Sequence, residues 1–172
     1  VVDVCASDAT HFAPQLDGSM ASGDTAPRLR RWTIDSAGDA AGVHEEMLDG
    51  DRSGEFPRTD DRYMTRRHRH AYLAGSGEDT LAFTRILHYD MDRGGCRTWG
   101  DGSYLLGEPV LAPRSGEAGE GDGYLLNLAY NRATGLSELL VFEAADIVPG
   151  PVARAMLPLR IPMGFHGTWV GA

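Results

Sequence analysis

The sequence contains no lysine, only two cysteines and no long hydrophobic run. All 16 of its cationic side chains are arginines, and 25 Asp and Glu residues outnumber them, so that the formal net charge is −9. A surface without a basic stripe cannot neutralise phosphates, which argues against binding to nucleic acid. The same acidic, lysine-free surface argues against docking to anionic lipid, and no apolar run is long enough to span a membrane.

The cysteine pattern bears on the cellular compartment. Cys5 and Cys96 stand far apart in the sequence, and neither has a partner at Cys-x-x-Cys spacing. Scattered cysteines without a pairing pattern are typical of proteins that work in a reducing compartment. We therefore predict that the protein is cytoplasmic.

Short apolar alternations dominate the sequence, and glycine, aspartate and proline interrupt them. This pattern, with little sustained helical periodicity, predicts many short strands and an all-β fold. The predicted strands lie at 1–6, 29–35, 43–48, 71–74, 81–90, 124–130, 139–142 and 151–157. Residues 12–27 are predicted to form a loop, and Asp92 to Gly95 are predicted to close a hairpin. No repeat signature of a known propeller type is visible.

The six histidines of the sequence differ in how well their surroundings suit a metal ligand. His68 and His70 lie in the charged stretch 60–70, and His-x-His spacing on a strand would place both rings on one face. Because no third ligand lies nearby in the sequence, a solvated basic loop is the favoured interpretation. His11, His44 and His88 are predicted to lie in loops or outer strands. His166 differs from them, because it lies in the uncharged segment 161–169 (IPMGFHGTW).

Two interpretations of His166 are open from the residues alone. Neutral imidazole is the commonest protein ligand for iron, copper and zinc, and the adjacent Gly167 lets the backbone approach a bulky group. Alternatively, the segment is a core strand whose histidine satisfies a carbonyl group. In a strand, Phe165 and Gly167 would face away from His166, although a bend at a glycine could turn Phe165 toward a cavity.

The order of several motifs along the chain narrows the choice. GEFPR at 54–58 and GEPV at 107–110 each place a glutamate close before a proline, and the histidine segment follows them. Further matching pieces are RWTID at 31–35, HYD at 88–90 and PMGFHG at 162–167. In their order along the chain, these motifs resemble those of the carotenoid cleavage oxygenase family, and the resemblance covers residues 29–169. The chain departs from the family at Gly121, where the family usually has aspartate, and at Ala112; we interpret both departures as loop drift.

The resemblance implies a seven-bladed β-propeller with an iron(II) ion on its axis. Four histidines from separate blades hold the ion in this family, and glutamates hold some of those histidines in place. His166 matches the last ligand, and Glu55 and Glu108 match two of the glutamates. We expect Glu108 to partner His166 and Glu55 to hold a histidine that this chain does not contain. Phe165 is a candidate for lining the substrate cavity, although ordinary core packing is an equal alternative.

The resemblance also implies an activity and the extent of the domain. The family cleaves a carbon–carbon double bond with dioxygen and releases two carbonyl products; a carotenoid, an apocarotenoid or a stilbene-like compound would be the substrate. Residues 1–5 already alternate like a strand, so we expect 1–172 to be the C-terminal part of one propeller dioxygenase domain, which needs N-terminal blades and is inactive alone. The alternatives are a non-catalytic propeller module that has lost its metal and a zinc hydrolase, for which no motif is present.

Overall fold

The computed structural model describes residues 1–9, 17–18, 25–35, 42–77 and 82–171. In these ranges the chain forms twelve β-strands and one short 3₁₀ turn, and it contains no α-helix. The strands are β1 (Val2–Ala6), β2 (Arg28–Asp35), β3 (Gly42–Asp49), β4 (Gly54–Arg58), β5 (His70–Ser76), β6 (Phe83–Asp90), β7 (Cys96–Trp99), β8 (Tyr104–Leu106), β9 (Val110–Pro113), β10 (Gly123–Asn131), β11 (Leu136–Glu143) and β12 (Ala153–Met156). The all-β prediction is confirmed, whereas the loop predicted at 12–27 lies mostly outside the described residues. No helix in the described part of the chain is long and apolar enough to cross a membrane.

The first compact unit, Val1–Glu55, contains an antiparallel sheet in the order β1-β2-β3. Arg31 on β2 donates two hydrogen bonds to the carboxylate of Asp3 on β1, at 2.7 and 2.8 Å, and so joins the two strands. Burial of the Cys5 thiol, together with the nearby Glu55 carboxylate, raises the pKa of that thiol to about 12. Cys5 is therefore protonated and unreactive at neutral pH.

The second compact unit, Phe56–Ala172, contains the remaining two sheets, except for Gly54 and Glu55 at the start of β4. One of them has the strand order β4-β5-β6-β7, and every residue of β5 is buried. Between β6 and β7, Asp90 Oδ1 accepts the backbone N–H groups of Asp92 and Arg93. Gly94 and Gly95 follow with φ of +73° and +88°, a region that glycine adopts without strain. The predicted hairpin turn is confirmed.

The other sheet of this unit is built around the β10–β11 pair, with β12 beside β11 and with β8 and β9 both beside β10. β10 and β11 pair from Tyr124 opposite Glu143 to Asn131 opposite Leu136, in agreement with the predicted strands. Alternate side chains of β10 are buried, which is the period of a strand with one covered face. The core of the unit contains Tyr72, Ile86, Leu106, Leu125, Leu140, Phe142 and Ile147. β12 is an exposed strand at the edge of the sheet.

The charged stretch 60–70 departs from its prediction as a solvated loop. It contains the 3₁₀ turn Asp61–Tyr63, and it ends at His70, which is the buried first residue of β5. Glu120 Oε1 accepts the backbone N–H groups of Arg69 and His70 at 2.6 and 2.9 Å. The Arg69 guanidinium in turn donates to both carboxylate oxygens of Asp90. Carboxylates that are distant in the sequence, Glu120 and Asp90, therefore bind the end of a segment that was predicted to be fully solvated.

Candidate functional site

A β-bulge at residues 107–109 presents Glu108. Leu106 of β8 lies opposite Ala129, and Val110 of β9 lies opposite Leu126, so three residues face only two on β10. An extra residue of this kind bends its strand and redirects the side chains around it. Pro109, which lacks an N–H group, suits a position where the backbone ladder is interrupted. The sequence pattern GEP thus places a carboxylate at the irregular point of the sheet.

The carboxylate of Glu108 is buried, with only 6% of the side chain exposed, and both of its oxygens contact hydrogen-bond donors. Its Oε2 accepts the backbone N–H of Gly167 at 2.7 Å. Its Oε1 lies 3.3 Å from Nδ1 of His166 and 3.4 Å from Nη1 of Arg58. A buried carboxylate is costly unless cations and hydrogen-bond donors surround it, and here both are present.

Arg58 is a site residue to which the sequence assigned no role. Its Nη1 also donates to the carbonyl oxygen of Gly167 at 3.0 Å, and its Nη2 lies within 3.4 Å of both carboxylate oxygens of Asp61. One guanidinium therefore joins β4, the carboxylate of Glu108 and the backbone beside His166. The signal was present in the GEFPR motif, where Arg58 follows the glutamate and proline directly.

Residues 157 and 159 still exchange backbone hydrogen bonds with Ser137, but the segment 161–169 is held by side chains and not by a strand ladder. No strand follows Met156 in the described residues. Ile161 donates its N–H to Ser137 Oγ at 2.9 Å, and the next anchor is the Gly167 N–H on Glu108. The core-strand interpretation of 161–169 is therefore wrong, and so is the strand alternation that would turn Phe165 away from His166. Both residues line the same cavity.

His166 presents its ring with a defined orientation. Its side chain is 74% exposed, its Nδ1 faces Glu108, and the ring meets Phe56 edge-on at a centroid distance of 5.5 Å. Phe56 packs in turn against Phe83 at 5.3 Å, and it has φ of +54°, which is uncommon for a residue other than glycine. A carboxylate that accepts the Nδ1 proton leaves the Nε2 lone pair for a metal ion, which is the usual arrangement behind a ligand histidine.

The cavity beside His166 has a volume of about 250 Å³ and is mostly apolar. Its apolar lining includes Leu126, Leu128, Leu139, Ile161, Met163 and Phe165, and its polar side chains are those of Glu108, Tyr130, Ser137, His166 and Thr168. Apolar walls with a few convergent polar groups are typical of sites for small apolar ligands. Phe165 lies in the wall of this cavity and is 71% exposed. Its role as a substrate-lining residue stays a prediction.

The remaining predicted site residue is Glu55, which lies on β4 at the end of the first unit. It is half-buried and close enough to Cys5 to raise the pKa of that thiol. Its role in holding a histidine stays a prediction. Within the described ranges, no group of three or more His, Cys, Asp or Glu side chains is arranged to hold a metal ion. The residues present therefore fit one imidazole ligand and its orienting carboxylate.

A second histidine arrangement, which the sequence did not predict, lies in the β5–β6 sheet. Nδ1 of His70 and Nε2 of His88 are 2.9 Å apart, and the His88 ring stacks on Tyr72 at 4.7 Å. Burial lowers the pKa of both imidazoles, that of His88 to about 4. Gly121, with φ of +75°, lies against the pair: a Cβ at this position would be 2.6 Å from Cδ2 of His70. The two rings are a buried, neutral, hydrogen-bonded unit.

Antiparallel sheets of three to five strands, with a histidine backed by a buried carboxylate, are the features of a partial β-propeller that carries a candidate metal ligand. Comparison with known proteins leads to the same class of protein. The retinal pigment epithelial membrane protein family matches residues 1–171. Lignostilbene-alpha,beta-dioxygenase isozyme III of Sphingomonas paucimobilis is 33% identical, over 96% of this chain and 36% of its own length. The carotenoid cleavage oxygenase of Mycobacterium tuberculosis is 34% identical, over 86% of this chain and 30% of its own length.

Solved structures support the same assignment. The cobalt-substituted apocarotenoid oxygenase of Synechocystis superimposes with a TM-score of 0.84 at 28% identity, over 99% of this chain and 36% of that chain. The chain belongs to the carotenoid cleavage oxygenase family, and its fold is part of the β-propeller of that family. It spans about a third of the length of the curated relatives that it matches.

Proposed function

We propose that this chain is the C-terminal portion of a non-haem iron(II) dioxygenase, with the N-terminal blades of the same propeller as its partner. The enzyme would cleave a carbon–carbon double bond of a carotenoid, an apocarotenoid or a stilbene-like compound into two carbonyl products. The observation that carries the proposal is the pairing of His166 Nδ1 with the buried Glu108 carboxylate, beside an apolar cavity. A cytoplasmic location stays a prediction from the cysteine pattern.

The chemistry of this donor set fits the proposed metal. Neutral imidazole suits iron(II), and a bound iron(II) ion would supply the activation of dioxygen for alkene cleavage. The residues of this chain would do the positioning: Glu108 and the Phe56 ring fix the His166 ring, and Arg58 balances the buried carboxylate. The apolar wall would bind a conjugated hydrocarbon and exclude water from it.

The function is tested on the full-length protein, with its iron content determined first. We expect iron-dependent consumption of dioxygen, and two carbonyl products per substrate, with at least one member of a panel of stilbenes, apocarotenoids and carotenoids. Removal of iron by a chelator should abolish turnover, and iron(II), unlike zinc(II), should restore it. An iron-loaded protein that cleaves no member of the panel would contradict the proposal.

The alternative is a non-catalytic propeller module that binds an apolar ligand and has lost its metal. The exposed apolar wall of the cavity is compatible with it. A parent sequence without three further ligand histidines, and a full-length protein that binds substrate but neither iron nor dioxygen, would favour this module over the enzyme.

Replacement of Glu108 by glutamine tests the orienting carboxylate. Because an amide cannot supply the charge that aligns His166 and pairs with Arg58, we expect Glu108→Gln to weaken iron affinity and turnover by about 10–100-fold, the usual cost of losing a partner behind a metal ligand. Iron affinity would be measured by competition with a chelator and turnover by product formation. Glu117→Gln, in an exposed turn, is the matched control. An equal effect in both variants would remove the special role of Glu108.

A further inference from the structure

We propose that Asn127 is a positioning residue, which holds the bulge at 107–109 and thereby aligns Glu108 with His166. The inference rests on the proposed function of that pair. Asn127 lies on β10 and is 1% exposed. Its Nδ2 donates to the carbonyl oxygen of Gly107 at 2.7 Å, and its Oδ1 accepts the Gly107 N–H at 3.3 Å. The carboxamide therefore binds both polar groups of the residue immediately before Glu108.

The bulge creates the need for such a side chain. Where three residues face two, the backbone groups of the opposite strand no longer match those of the bulged strand. The Gly107 N–H still reaches the carbonyl oxygen of Leu128 at 3.0 Å, but its own carbonyl needs a donor. A carboxamide offers a donor and an acceptor in a fixed plane, with the spacing of a peptide group. Asn127 thus replaces the missing part of the ladder with its side chain.

The described residues that line the cavity do not include Asn127. Leu126 and Leu128, its neighbours on β10, line the cavity beside His166, whereas the side chain of Asn127 is buried on the other face of the strand, as is that of Leu125. An effect of Asn127 on the site is therefore expected to pass through the backbone of Gly107 and Glu108. This separates it from a catalytic residue.

The contacts of Glu108 show why its backbone must be held closely. The distances from Oε1 to His166 and Arg58, 3.3 and 3.4 Å, lie at the long end of the hydrogen-bond range. A displacement of a few tenths of an ångström would break both of them, whereas the 2.7 Å bond from Gly167 to Oε2 would tolerate it. Loosening the bulge should therefore release the His166 ring first.

The test compares Asn127→Ala and Asn127→Asp with Asn131→Ala in the full-length protein. The aspartate keeps an acceptor for the Gly107 N–H but has no donor for the Gly107 carbonyl. Asn131 lies on the same strand, where its Nδ2 donates to Glu138 at 2.7 Å and its Oδ1 accepts backbone N–H groups of the turn that follows. Within the described part of the chain, none of its hydrogen bonds reaches the bulge. It therefore controls for general weakening of β10. The measurements are the dissociation constants for iron(II) alone and cobalt(II) alone, the ligand-field spectrum of the cobalt form, kcat and KM, and the Tm of the metal-free protein.

We expect both Asn127 variants to raise the metal dissociation constants about 10-fold, to change the cobalt spectrum and to lower kcat more than they raise KM. Asn131→Ala should lower Tm by a similar amount and leave the spectrum and the dissociation constants unchanged. Wild-type spectra in both Asn127 variants, or the same spectral change in Asn131→Ala, would overturn the inference. If the wild-type protein binds neither ion, or if His166→Ala binds both as tightly as the wild type, the proposed function itself fails, and this inference fails with it.

Discussion

His166→Ala in the full-length protein is expected to abolish both iron retention and alkene cleavage. The imidazole is the one candidate metal ligand that the described residues place on a buried orienting carboxylate, and alanine supplies no donor atom in its place. Loss of a direct metal ligand has a larger effect than loss of the carboxylate behind it, so the defect should exceed that of Glu108→Gln. Iron is measured per protein chain, and cleavage by the yield of carbonyl products.

The matched control for this variant is His44→Ala, which removes an exposed imidazole from β3. It should keep wild-type iron content and activity, which would show that a histidine deletion as such does no harm. Unchanged iron content in His166→Ala would rule out this residue as a ligand. Retained iron with lost cleavage would instead give the imidazole a role in substrate binding.

Acidification is expected to destabilise the β5–β6 sheet through His88. Burial, His70 and Arg97 lower the pKa of His88 from 6.5 to about 4 against the opposing carboxylates Asp90 and Asp146. Below pH 6.5, His88 is protonated in the unfolded chain but stays neutral in the folded chain. The free energy of unfolding therefore falls between pH 6.5 and pH 4. One imidazole with such a shift accounts for up to about 3 kcal/mol across that window.

The hydrogen bonds of the His88 ring explain why it stays neutral in the folded chain. His88 Nε2 already shares a hydrogen bond with His70, and His88 Nδ1 has no hydrogen-bond acceptor within the described part of the chain. A protonated ring would bury a charge and an unsatisfied donor. The check is calorimetric Tm from pH 7.5 to 4 for the wild type and for His88→Phe, which keeps an aromatic ring on Tyr72. The variant should show a smaller loss of Tm on acidification; parallel curves for the two proteins would refute the assignment.

The strands were predictable because their signal is local. Alternation and turn residues locate the β10–β11 pair and the hairpin turn at 92–95, since each depends on neighbouring residues alone. The strand interpretation of 161–169 failed for the opposite reason. The backbone groups of this segment bond to the side chains of Ser137, Glu108 and Arg58, which no pattern within the segment can indicate, so an apolar sequence with the composition of a strand is irregular.

The candidate site was predictable in its residue types and not in its supports. Motif order brought His166 and Glu108 into one hypothesis, but Asn127 and the bulge depend on a mismatch between two strand registers. The burial of His70 was not predictable, because the arginines around it make the segment charged. The start of β5 is held by Glu120, whose side chain comes from a distant turn and accepts the backbone N–H groups of Arg69 and His70.

The contact between Gly121 and His70 has a consequence for substitutions in this part of the chain. The two positions share one side-chain volume, because any Cβ at 121 would enter the space of the His70 ring. A larger residue at 121 would displace the imidazole, and it would also have to adopt the φ of +75° that glycine tolerates. The two positions therefore form one unit of design, in which Gly121 is varied only together with His70.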